Sequence, residues 1–143
     1  MFLTSHFHPM IVHFPIALII TGLFAEIVFL FYKKETALSK TGFYLLLIGT
    51  LSALAAFTTG HMFTVKPTQG EMADIFTQHQ TAAFVAILLM ILASGFRIYL
   101  RAHKHEKSSL KWLASCLYLL GAAAVCYTGF LGGTMVYSYM ISI

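Results

Sequence analysis

Four long apolar stretches separated by short polar segments dominate the chain, at about residues 11–32, 41–60, 81–100 and 110–131. Each is close to the roughly 20 residues that a helix needs to cross a bilayer. The first helix is predicted to start at Pro9, where a missing N–H costs nothing, and Pro15 inside it should kink the chain near Ile11. The second carries Gly49, Ser52, Ala53, Ala55 and Ala56, small residues that let helices approach closely, and Gly60 is placed to cap it. An outer loop with Lys66-Pro67 and Gln69-Gly70 as turn signals follows. Met72, Ile75, Phe76, His79, Ala83 and Ala86 then recur at helical spacing, so the third helix should begin near Glu71, ahead of its apolar run. The pattern predicts an all-α, polytopic membrane protein, with a single antiparallel four-helix transmembrane bundle filling residues 1–143.

Composition supports that class. The chain is 59% hydrophobic and 10% charged, whereas a soluble domain is about a quarter charged. Lys33, Lys34 and Lys40 lie beside the first short loop, and Arg97, Arg101, Lys104, Lys107 and Lys111 flank the second. Of the nine Lys and Arg only Lys66 is left for the other side. The positive-inside rule therefore puts both loops in the cytoplasm and both termini outside it. No positive charge precedes the first apolar run, which is also too long for a cleaved signal peptide. The net charge of +4 is then topological rather than a nucleic-acid footprint.

Chemistry enters with the histidines. In a lipid environment an imidazole is expensive unless it has a partner, which makes His8 and His13, at the opening of the first span, functional candidates. They are five positions apart, about 140° around a helix, too divergent to hold one small ion together. A bend at Pro15 would turn His13 toward the bundle interior. His61 ends the second helix and reads equally as a solvated histidine, a ligand or a propionate partner. His79 falls on the bundle-facing stripe of the third helix with Ala83 and Ala86 below it, leaving room for something flat and wide. Gly129, Gly132 and Gly133 expose backbone on the fourth helix, suiting close packing or a cofactor edge. Glu26, deep in the first span, reads as a neutral carboxyl bonded to a Ser or Thr, or as part of a proton path. Cys116 and Cys126 are about 15 Å apart along one helix, too far for a disulfide, and read as packing residues. His103 and His105 belong to the basic loop.

His6, His8, His13, His61 and His79 all fall at the outer end of the bundle, as a site between facing helices requires. Bis-histidine haem b is one reading, and a copper or zinc ion with Met10, Met62 or Met72 as soft ligands is the other. Haem explains more: it takes imidazoles from opposite sides and a slot lined by Ala and Gly, whereas a metal ion would favour two ligands on one helix face. A third reading has the histidines simply capping helices in a non-catalytic scaffold.

The segment His8-Pro9-Met10-Ile11-Val12-His13-Phe14-Pro15-Ile16-Ala17-Leu18 resembles the signature of a bacterial four-helix membrane family, domain of unknown function 2231 (DUF2231). Gly132-Gly133-Thr134-Met135-Val136-Tyr137 is similar to that family's closing pattern, and His79 matches the histidine near the start of its third helix. His61-Met62 stands where the family often has Asp-Trp, and Tyr139-Met140 where it often has His-Gly. Some members are joined to cytochrome c-like or Rieske-type domains, so the resemblance implies redox work by analogy. The expectation is one haem b near the outer surface of the inner membrane, with His13 and His79 as axial ligands and His8 and His61 as alternates. Ala83, Gly129, Gly132 and Gly133 would line it. The protein would be an electron-transfer protein or subunit rather than a stand-alone enzyme, passing electrons between a quinol and a periplasmic redox protein. Its remaining partner is the lipid bilayer, with homo- or hetero-oligomerisation left open.

Overall fold

The computed structural model describes residues 7–64, 66–104 and 109–139. His6, His105, Lys107 and Met140 lie outside the described residues. Four helices account for nearly all the rest: α1 (Phe7–Phe31), α2 (Thr36–Phe63), α3 (Glu71–Ala102) and α4 (Leu110–Tyr139). Each is long and apolar enough to span a membrane, and among the described residues there is no strand.

Helix ends follow local chemistry with two departures from expectation. α1 is already helical at Phe7, the first described residue and two ahead of Pro9, and runs without interruption through a buried Pro15. α2 does not stop at Gly60 but continues to Phe63, with the Thr64 N–H donating to the Gly60 carbonyl at 3.3 Å. Gly60 is therefore an interior residue, and its lack of a side chain needs another reason. Gly70, at φ 82°, adopts a conformation that L side chains rarely reach and sets the start of α3 at Glu71. Glu71 and Asp74 then place negative charge in the first turn, where the helix dipole favours it.

The chain folds as two antiparallel hairpins, α1 with α2 and α3 with α4, set side by side. Within each, a glycine lets the backbones close. A Cβ at Gly49 would fall 2.7 Å from Ile19 Cγ1, and one at Gly121 would fall 2.6 Å from Met90 Sδ. Ile19, Leu46, Met90 and Tyr118 are fully buried, and Ala53, Ala86, Ala93 and Ala122 complete a core of small and large residues. Such interfaces suit lipid, where close packing and hydrogen bonds rather than water exclusion hold helices together. Accordingly Phe14, Phe24, Leu51 and Phe130 are all about two-thirds exposed. An apolar shell of that extent requires a hydrocarbon surround. Cys116 and Cys126 also face outward as free thiols rather than packing inside.

Polar bonds tie the hairpins together toward the lysine-rich end. Tyr118 donates to the Ile19 carbonyl at 2.9 Å, joining α4 to α1. Thr50 donates to the Leu46 carbonyl, which leaves the Ser94 hydroxyl as donor to Thr50 at 2.8 Å, joining α3 to α2. Glu26 pairs not with a Ser or Thr but with Arg97, across the bundle from α1 to α3. The reason is length: α3 extends to Ala102, so Arg97 stands inside the helix rather than in the loop. Gly42 makes room for the carboxylate, since a Cβ there would fall 2.5 Å from Glu26 Cγ.

Candidate functional site

At the opposite end the two hairpins repeat one local design. In the first, His8 of α1 is half-buried against the last turns of α2, with Nδ1 3.3 Å from the Thr59 hydroxyl. That hydroxyl already donates to the Ala55 and Ala56 carbonyls at 2.9 Å. Its proton is committed, so it accepts from the ring, and Nδ1 carries the hydrogen. Gly60, four residues on from Ala56, leaves that side of α2 bare: a Cβ would stand 2.8 Å from His8 Cε1.

In the second hairpin His79 of α3 is half-buried against α4, with Nδ1 3.0 Å from the Thr128 carbonyl. A carbonyl only accepts, so here too Nδ1 is the donor. Gly132 lies four residues on from Thr128, and a Cβ on it would stand 3.4 Å from His79 Cε1. Thus each hairpin offers one imidazole from its first helix, with Nδ1 bonded to an oxygen of the second helix and Cε1 beside a glycine of that helix. In both rings the Nδ1 bond fixes the tautomer and leaves the Nε2 lone pair for a ligand. Burial pushes the His8 ring below the ordinary histidine value, favouring the neutral imidazole, with the Ala56 backbone opposing the shift.

The other sequence candidates are placed differently. His13 is exposed on the outer face of α1, the helix passing through Pro15 without turning it inward. His61 is exposed and stacks on Phe57, with ring centroids 4.9 Å apart. Met10 and Met62 are exposed as well, at 69% and 73%. Ala83 is half-buried one turn from His79, above the buried Ala86. Gly129 faces α1, where a Cβ would fall 3.2 Å from Ile16 Cδ1, and Gly133 faces open space. Among the described residues no three of His, Cys, Asp or Glu converge as ligands for one metal ion. Sequence reasoning missed Thr59, Thr128 and Gly60 as the partners of the two rings. The available signal was a threonine followed by a glycine within one turn in both hairpins, Thr59-Gly60 and Thr128 with Gly132.

A family model described as a predicted membrane protein matches residues 4–143. No curated protein and no solved structure matches the chain.

Proposed function

The chain belongs to the DUF2231 family of membrane proteins, and from that premise we propose that it is an electron-transfer protein holding one haem b between its two hairpins, with His8 and His79 as axial ligands. The observation that carries this reading is the repeated design: two imidazoles, one per hairpin, each with Nδ1 bonded and Nε2 left as the donor atom. A porphyrin has two equivalent faces and asks for one such imidazole on each, whereas a closed copper or zinc site asks for three or four convergent ligands. His8 takes the place of His13 on the first helix because it is the one turned toward a neighbouring helix.

Bound there, haem iron would supply one-electron oxidation and reduction. The chain's own residues do the rest. The Thr128 carbonyl and the Thr59 hydroxyl orient the rings and, by drawing on the Nδ1 hydrogens, increase the basicity of Nε2. Gly60 removes a side chain that would otherwise crowd the His8 imidazole, and Gly132 borders the His79 ring at ordinary contact distance. An apolar layer of Ile16, Ala53, Ala86, Ala122 and Val125 separates this end from the Glu26–Arg97 end, so water and protons are kept from crossing beneath the site.

The distribution of Lys and Arg supports placing the histidine end at the outer surface of the inner membrane, with both termini there. Electrons would then pass between a quinol in the bilayer and an exported redox protein. An absorption spectrum of protein purified from haem-sufficient cells tests the reading. The expected result is a low-spin spectrum whose Soret band shifts on reduction. Colourless protein retaining stoichiometric copper or zinc would replace haem by a metal ion, and colourless protein with neither would leave a scaffold.

A further inference from the structure

The lysine-rich end contains a concavity that the proposed redox site does not use. It measures about 600 Å³ and is lined by the contiguous residues Leu30, Phe31, Tyr32, Lys33, Lys34 and Glu35, where α1 leaves the membrane span and turns into α2. We propose that this turn is a binding site for one anionic phospholipid, with the headgroup phosphate held by Lys33 and Lys34.

Two observations converge on that ligand. The first is charge. Among the described residues the only ion pair is Glu26–Arg97, so Lys33 and Lys34 stand unpaired in spite of Glu35 beside them. The second is the step in polarity along the turn. Leu30, Phe31 and Tyr32 are 47%, 79% and 65% exposed, and the two ammonium groups follow immediately. An acyl chain can lie along the apolar part while a phosphate meets the lysines, and Tyr32 sits where aromatic rings favour the headgroup level. A free inorganic anion would use the lysines and ignore the apolar wall, so the amphipathic lining selects a lipid.

Lys40, Lys104 and Lys111 lie at the same end and add to the attraction for an anionic leaflet, but they do not line this concavity. That difference supplies the control. Native mass spectrometry of the full chain released from detergent, titrated with phosphatidylglycerol or phosphatidylcholine of matched acyl chains, reads the site directly. One phosphatidylglycerol should be retained in preference to phosphatidylcholine. The Lys33→Gln/Lys34→Gln double variant, checked for unchanged helicity by circular dichroism, should bind it roughly 30-fold more weakly, about fivefold per lysine. The Lys104→Gln/Lys111→Gln variant should retain it, and inorganic phosphate should not displace it. Equal retention of both lipids, equal weakening in the two double variants, or displacement by inorganic phosphate would overturn the proposal.

Discussion

Removing either partner of the Glu26–Arg97 pair should destabilise the bundle far more than removing both. The side chains are only 11% and 19% exposed, and each is carried by a different hairpin, so the pair is a cross-tie within the membrane. Breaking a buried pair by deleting one partner costs about 3–5 kcal/mol, because it strands a charge. The structure divides that range. Arg97 is five residues from the end of α3 at Ala102, about 8 Å along the axis, so without Glu26 its long side chain can snorkel toward the lysine-rich surface. Glu26→Gln should therefore fall near or below the bottom of the range, at about 2–3 kcal/mol. Glu26 has a shorter reach, so Arg97→Met should cost about 3–5 kcal/mol. The double variant carries no charge and should lie within about 1 kcal/mol of the unsubstituted protein, a coupling well above the limit of about 0.5 kcal/mol for independent sites. Unfolding in mixed micelles with increasing sodium dodecyl sulfate, followed by circular dichroism, measures the cycle. Costs that simply add would refute the claim that these two charges hold the hairpins together.

Glycine substitutions should separate the ring contacts from open backbone. Gly60→Ala places a methyl 2.8 Å from His8 Cε1 and should displace the ring, seen as altered His8 imidazole resonances. Gly133→Ala meets nothing within 4 Å and should be neutral or stabilise by about 0.5–1 kcal/mol in the same unfolding assay. Because burial lowers the His8 proton affinity in the fold, the unfolded chain binds more protons below its ordinary value of 6.5. Stability from this group is complete above that value and is lost as the pH falls below it, so His8→Gln should flatten the acid side of a stability–pH curve. For topology, reporter fusions at Ile143 should show activity outside the cytoplasm, and cytoplasmic activity would invert the orientation.

The bundle was legible because lipid imposes a simple rule: every backbone group must bond within its own span, so apolar length maps onto helices. The start of α3 was legible too, since Gly70 and the apolar stripe from Met72 mark it jointly. Less could be read where a residue's role depends on its rotation about a helix. His8 and His13 are equivalent in composition, and only the seating of α1 against α2 decides which imidazole meets Thr59 and Gly60. Glu26 and Arg97 are 71 positions apart in the chain, and nothing local in the sequence announces that their helices bring them together. Gly60 carries the same lesson, since its position near the end of an apolar run reads as a cap until the helix is seen to pass through it.

The central claim is that His8 and His79 share one haem between the hairpins, and electron paramagnetic resonance of the oxidised protein tests it most directly. The purified protein should show a low-spin bis-histidine ferric signal. His13→Ala should keep that signal, while His8→Ala and His79→Ala should each lose it yet retain the helical content of the unsubstituted chain. A low-spin signal that survives His8→Ala and disappears in His13→Ala would contradict the account.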